Sequence, residues 1–553
     1  MRDIKSSNSP ARPGKGAWPP RSISGGGTAA RSTWAEIPSS DGAPAAWCYT
    51  DQRSYRSGET AHLFISGTVS SVDLRIYKDG DAPSDKTSWT NVAILFQPVP
   101  ESSFSTGMGW QKTVSIDLAG YEPGAYIVEL REAGASCKNS ALAHHIFFVR
   151  ATVADPAALL LIAATSTWTA YNDFGGASHY RGFNPDYPLG ASPKLSTERP
   201  WARGQVWLPD GAPRVAVPLR SSKPTPPRYE WLDWAYANGY TRYYASAGWP
   251  SYELPFLKWA ERAGYSVHVI AQDDLELHPD CLDGYKCAVL VGHDEYWSMP
   301  MRDAIDEFVD GGGRVARFAG NFTWQIRLEN EGRDQVCFKS TAPDLDPLRD
   351  TNPELLTGAW EDPRINHPGA STFGVNGLRG VYAGFGGMAP RSPGGFNVFR
   401  PEHWSLKGTG LVYADMFGDE AGIFGFEVDG LEYTFKDGLP VPTQADGAPQ
   451  GLEIIAMGWA TLSEGGLPEH AYAQFLGDAD ARYAASILDG RTDDEAVGKR
   501  SRGCGVVVSF RRGAGEVFCA GSCEWVRGLM NEEFYTGRIT RNVLDRFLEG
   551  AEA

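Results

Sequence analysis

The segment Val289-Leu290-Val291-Gly292-His293-Asp294-Glu295-Tyr296-Trp297-Ser298 runs an apolar strand straight into three consecutive side chains that transfer protons or bind metals. His, Asp and Glu are costly to bury unless paired or ligated, so their position behind a strand points to a site rather than to core. In an open α/β sheet, ligands bind at the carboxyl ends of the strands. The competing reading is a structural polar turn.

Other segments offer partners. After the apolar run Leu159–Ala164 comes Thr167-Trp168-Thr169-Ala170-Tyr171-Asn172-Asp173-Phe174-Gly175-Gly176-Ala177-Ser178-His179-Tyr180. Tyr171 and Tyr180 could converge on Glu295 as a hard, anionic ligand set. A free phenol has a pKa of about 10, so a strongly Lewis-acidic cation must hold it ionised at neutral pH. Trivalent iron suits such a set better than zinc or magnesium. Paired tyrosines are also common packing residues, and that reading stays open. Asn321 follows Gly320 at the next strand end and could offer its amide to an oxyanion or a substrate carbonyl, or be a loop Asn in left-handed backbone. Glu427, within Gly422-Ile423-Phe424-Gly425-Phe426-Glu427-Val428-Asp429-Gly430, reads as a strand residue facing away from Phe426. Partial burial there would raise its pKa and fit a general base; a solvated strand carboxylate is the plainer alternative.

Rival chemistries have weaker signals. A cysteine nucleophile belongs on the turn after a central strand, but Cys287 lies within one. No Gly-x-Ser-x-Gly elbow falls at a matching position, and the ten histidines contain no His-Glu-x-x-His. The eight cysteines form no Cys-x-x-Cys pair, and Cys519 and Cys523 are four apart with no second pair nearby, so reduced thiols in a cytoplasmic protein are expected.

The positioning elements follow from hydrophobic period. Residues 1–38, rich in Ser, Gly, Pro and Arg, read as a disordered or draped arm. Residues 39–152 carry short alternating strands separated by turns, the pattern of an immunoglobulin-like β-sandwich. Residues 153–553 change to β–α–β alternation, which predicts a parallel sheet with helices on both faces, flavodoxin-like or glutamine-amidotransferase-like, with β-rich insertions at about 340–500. Helices are expected over 249–263, over 301–309 behind a Ser298 cap, and over 537–548.

The chain has 553 residues, 42 % hydrophobic, 22 % charged and 12 % aromatic, including 18 Trp. Its net charge of -17 argues against nucleic acid or anionic membranes as partners. No apolar run reaches the ~18–20 residues of a membrane span, and the N-terminus lacks the apolar core of a secretory signal.

Taken together, these motifs resemble the large (beta) subunit of N,N-dimethylformamidase and the relatives that share its C-terminal domain. The pieces are Thr167–Asn172, Gly175–Tyr180, Gly292–Ser298, Gly320-Asn321, Gly408-Thr409-Gly410-Leu411, Gly425–Asp429 and Ile539–Leu544, in family order over about 155–550. The resemblance implies a mononuclear ferric ion held by Tyr171, Tyr180 and Glu295, with Tyr187 as the alternative second tyrosine. It implies His293 and Asn321 around the reacting centre and Glu427 as catalytic glutamate, with Glu432 as backup. It leaves Asp294 structural and gives Trp168, Phe174, Tyr296 and Trp297 an apolar pocket for a small N-substituted amide. A homo-oligomer is expected, and a small partner subunit is possible. The rival class is a non-catalytic or carbohydrate-binding protein on the same fold.

Overall fold

The computed structural model describes residues 35–40, 43–134, 141–214, 230–380, 394–425, 427–461 and 479–549. Most of the N-terminal arm therefore lies outside the described residues. Its last part, 35–38, is extended and tied down: Trp47 Nε1 donates to Glu36 at 2.6 Å, and the Gly175 N–H donates to the Glu36 carbonyl at 2.8 Å.

Two sheets follow. Ala46–Thr50, Thr60–Gly67 and Lys112–Asp117 form an antiparallel three-stranded sheet. Ser54–Arg56, Ala143–Arg150, Gly124–Glu132, Ser71–Lys78 and Ser84–Ala93 form a five-stranded one, in that order. Alternation buries Ala61, Leu63 and Ile65 from the first sheet and Val72, Leu74 and Ile76 from the second in one shared apolar cluster. The five-stranded sheet is also buried on its other side. Tyr77, Ala125, Ile127, Ile146 and Phe148 join the core of the following α/β region. Ser84–Ala93 gave no sequence signal because it is a polar edge strand with one neighbour.

The central sheet has nine strands: Val267–Ala271, Leu159–Ala163, Cys287–His293, Arg314–Gly320, Gly515–Ala520, Arg502–Arg512, Glu453–Thr461, Phe396–Val398 and Met416–Phe417. The first five run parallel and the remainder pair antiparallel, giving a mixed α/β topology, flavodoxin-like in its broad form. The expectation of a parallel sheet thus holds for one half only. Arg502–Arg512 and Gly515–Ala520 are joined by a two-residue turn, and a connection that short can only return antiparallel. Part of the stretch expected to be an insertion supplies strands to this same sheet.

Three helices brace the parallel half. Glu253–Arg262 turns Phe256, Leu257 and Ala260 inward, and it starts four residues later than the expected 249. Met299–Asp310 buries Met301, Ile305 and Val309, one every turn, and Ser298 Oγ caps it by accepting the Met301 N–H at 3.3 Å. Phe534–Glu549 buries Ile539, Val543, Leu544 and Phe547. Among the described residues, no helix is long and apolar enough to cross a membrane. The cysteines among them (48, 281, 287, 337, 504, 519 and 523) are free thiols.

Candidate active site

His293, Glu295, Tyr171 and Asn321 leave the carboxyl end of a parallel strand or the segment just behind it. Cys287–His293 ends on His293, and Glu295 follows after one residue. Gly292 has φ +77° inside that strand, and a Cβ there would stand 2.2 Å from the Tyr252 ring. Glycine is therefore needed both for the turn and for the contact. Leu159–Ala163 leads into the helix Thr165–Tyr171, which places Tyr171 in its last turn. Arg314–Gly320 leads to Asn321, at φ +66°. Asn is among the few residues that tolerate left-handed backbone, so the loop reading of Asn321 and its placement in the site are both realised.

One buried carboxylate is the hub. Glu295 accepts from Tyr171 Oη at 3.0 Å and from Tyr180 Oη at 2.7 and 2.9 Å. It also accepts from Trp324 Nε1 at 2.6 Å, and His293 Nε2 stands 3.3 Å away. The two phenolic oxygens are 2.7 Å apart, and Tyr296 Oη donates to Tyr180 Oη at 2.8 Å. Glu427 is the second hub: His293 Nε2 lies 2.7 Å and Asn321 Nδ2 2.6 Å from its Oε2. The His293 Nδ1 faces the Ser246 carbonyl at 2.7 Å, which fixes a proton on Nδ1 and turns Nε2 toward both carboxylates.

The two glutamates are pushed apart. Burial raises Glu295, but hydrogen bonding from His293 and the Lys339 charge outweigh it and hold the carboxyl below the usual range. Glu427 is held above that range, mainly by burial and partly by the Glu295 charge, against the pull of His293. Burial works against a charged His293, yet Glu427 and Glu295 together lift the imidazole to about 10. Burial and then the Glu295 charge push Tyr171 and Tyr180 far above an ordinary phenol. Environments that separate two carboxylates in this way assign one to stay anionic and the other to carry protons.

Beneath the site a charged clamp joins the three segments. Arg317 Nε donates to Asp294 at 3.0 Å and Nη1 to Asp429 at 2.8 Å, all three fully buried. Asp294 also accepts Trp297 Nε1 at 2.8 Å, and Asp429 accepts the Phe322 N–H at 2.8 Å. Asp294 therefore faces away from the reacting groups.

The structure brings Tyr171, Tyr180, Glu295, His293, Asn321 and Glu427 together. It separates others from them. Tyr187 Oη bonds to Thr341 and the Phe338 carbonyl, and Glu432 pairs with Arg379 at 2.6 Å. Glu427 does not lie in a strand: it sits in a bend before Val428, which makes a single bridge to Ser522, while Phe426 lies outside the described residues. Of the four expected pocket walls, only Tyr296 reaches the cluster. Trp168 packs on Phe148, Trp201 and Trp249 and donates to Glu253; Phe174 joins Trp47, Tyr49 and Trp110; Trp297 packs on Phe322 and Phe373. These three are core because large aromatics fill the layers between sheet and loops, and an aromatic side chain alone does not distinguish core from pocket.

Sequence reasoning missed Lys339, Trp324 and Cys523. The Lys339 ammonium stands 3.2 Å over the Tyr180 ring, with burial lowering its pKa. Trp324 closes the hub. Cys523 follows the strand Gly515–Ala520, so the strand-end rule that singled out His293 would have found it.

Two donor sets meet here. Tyr171, Tyr180 and Glu295 present oxygens about as far apart as neighbouring ligands around one small cation, whose octahedral edge at 2.0–2.1 Å is about 2.9 Å. The phenols keep their protons in this environment unless a strongly polarising cation displaces them. His293, Glu427 and Cys523 form a second buried group whose ligand atoms lie within 4.8 Å of one another and could hold a metal ion.

A buried His–Glu–Cys cluster that could hold a metal ion, set in an α/β fold, supports a hydrolase-like function at the level of the family. Residues 73–537 match the family described as N,N-dimethylformamidase beta subunit-like, C-terminal, and the chain belongs to that family. No curated protein matches the chain.

Proposed function

We propose that the protein hydrolyses the C–N bond of a small N-substituted amide at a mononuclear trivalent iron site held by Tyr171, Tyr180 and Glu295. The observation that carries this is the meeting of three oxygen ligands and a carboxylate–imidazole pair in one buried cluster, joined by the 3.3 Å approach of Glu295 to His293. When bound, such a cation polarises a carbonyl oxygen or acidifies a water.

The chain's own residues supply the rest. Glu427, held above the ordinary carboxyl range, takes a proton from the attacking water and returns it to the leaving amine nitrogen. His293 Nε2 and Asn321 Nδ2 donate to the oxyanion that develops on the former carbonyl oxygen. Thr323 Oγ1 donates to Asn321 Oδ1 at 2.5 Å and so aims the amide nitrogens inward. Tyr296, Trp324 and Lys339 close the site around the tyrosines. A purely structural or sugar-binding protein gains nothing from desolvating this many polar groups at one point. We extend the proposal to an immunoglobulin-like β-sandwich domain at 39–152 and to assembly as a homo-oligomer, with or without a small subunit.

The test is release of amine from a panel of N-alkyl amides. Turnover by the iron-loaded chain is expected, with kcat reduced about 10²–10⁴-fold in Glu427→Gln. Unchanged turnover in Glu427→Gln, or none from any amide by the iron-loaded chain, contradicts the proposal.

A further inference from the structure

Cys523 has no part in that hydrolysis, yet it is fully buried against Glu427 and His293, which do. We infer that His293, Glu427 and Cys523 form a second metal site, selective for a zinc-class divalent cation, whose occupation withdraws Glu427 from proton transfer and His293 from the oxyanion. The inhibitory half of this inference rests on the hydrolase reading above; the binding half does not.

The donor chemistry differs from that of the tyrosine set. Imidazole nitrogen, carboxylate oxygen and thiolate sulfur are the ligands of tetrahedral zinc, and three of them leave a fourth position open. Two phenols and a carboxylate are uniformly hard, so the two sets favour different ions. The three ligand atoms lie within 4.8 Å of one another, with Glu427 Oε2 and His293 Nε2 only 2.7 Å apart.

The site is built rather than accidental. The Ser246 carbonyl holds the Nδ1 proton of His293 and leaves Nε2 as the ligand atom, the outer hydrogen bond that metal-binding histidines characteristically make. The Cys523 N–H donates to the Glu427 carbonyl at 3.1 Å, and Val428 bridges Ser522 next door. This backbone pairing keeps thiol and carboxylate together. Gly320 lets the segments approach: a Cβ there would lie 2.6 Å from the Cys523 nitrogen and 2.7 Å from the Glu427 oxygen. On binding, the thiol proton and the Nε2 proton of the His293 imidazolium pass to solvent, so that sulfur binds as thiolate, His293 as the neutral imidazole and Glu427 as carboxylate; no electron changes hands.

Cobalt(II), a visible stand-in for zinc, tests this on the full chain. One equivalent is expected to give a thiolate-to-cobalt charge-transfer band that zinc displaces. Cys281→Ser, which alters a thiol on the Pro279–Leu282 turn, should keep the band and Cys523→Ser should lose it. No band in the wild-type chain, or a band that survives Cys523→Ser, overturns the site. Should Cys523→Ser not fold, X-ray absorption on the zinc-loaded wild type decides, with one sulfur at about 2.3 Å expected and none overturning the site. Zinc should also slow amine release, and Cys523→Ser, scored against its own zinc-free rate, should need at least the ~10–100-fold more zinc that loss of an outer partner already costs. Equal zinc sensitivity overturns the inhibitory role. A chain that forms the cobalt band but releases no amine overturns the hydrolase reading and with it the inhibitory role, and leaves the metal site standing.

Discussion

The phenolic oxygens of Tyr171 and Tyr180 lie 2.7 Å apart, and both meet the Glu295 carboxylate. They come from opposite ends of a reversal that passes through Gly175 at φ +81° and Gly176 at φ +116°, where L side chains are disfavoured. The rings themselves stack at 4.4 Å between centroids. Tyr180→Phe keeps that packing while removing the oxygen shared by Tyr171, Glu295 and Tyr296. Metal affinity is expected to fall by more than about 10–100-fold, measured by equilibrium metal content, with the fold retained. Full metal content in this variant would show that Tyr180 is a packing residue.

Arg317 is expected to be the costliest single loss outside the site. Arg317→Leu strands Asp294 and Asp429 as buried charges, and breaking a buried pair in this way costs about 3–5 kcal/mol. Urea denaturation measures it. A loss below about 1 kcal/mol would mean that the clamp does not hold the three segments together.

Gly320→Ala tests how tightly those segments meet. The new methyl faces backbone atoms of Glu427 and Cys523, which cannot swing away as a flexible side chain would. Overpacking of this kind costs about 1–3 kcal/mol. Here it should also displace Glu427 from His293, so that kcat falls more than KM changes. Wild-type kcat in a folded Gly320→Ala would contradict the contact.

The stabilisation that Glu253 contributes should fall with rising pH across the neutral range. Glu253 accepts the Ala164 N–H and Trp168 Nε1 on one oxygen, and its other oxygen is buried without a hydrogen-bond partner among the described residues. Burial lifts it from 4.5 to about 8. Between those values the folded chain keeps a proton that the unfolded chain has lost. The stabilisation is therefore complete below pH 4.5 and disappears as pH rises through 8. Asp173 and Asp274, each lifted to about 7 by burial, act in the same direction. The Tm of the wild type relative to Glu253→Gln is expected to drop between about pH 5 and 8. An identical slope in the variant would show that Glu253 is ionised in the fold.

Much of this arrangement was legible from local pattern. The apolar run ending at His293, the Ser298 cap and the i, i+4 spacing of Met301, Ile305 and Val309 are short-range signals with one structural solution. Strand ends located the acid–base residues because the parallel half of the sheet gathers those ends at one edge. The antiparallel half escaped the β–α–β pattern, although the short link between Arg502–Arg512 and Gly515–Ala520 carries its direction. Glu427 was read as a strand residue because apolar neighbours alternate around it, whereas it sits in a bend held by the Cys523 N–H on its carbonyl and by the bridge of the next residue, Val428, to Ser522. Trp168 and Trp297 looked like pocket walls beside reactive residues but found core partners on other elements. Lys339, at φ +54° in a short turn, reaches Tyr180 only through the tertiary fold.

The most direct test of the central claim is the iron content and visible spectrum of the purified chain beside Tyr171→Phe. The expected result is one equivalent of iron and a tyrosinate-to-iron charge-transfer band, both lost or sharply reduced in the variant. A colourless, iron-free wild-type chain that still cleaves amides, or a Tyr171→Phe chain with full iron and an unchanged band, would contradict it.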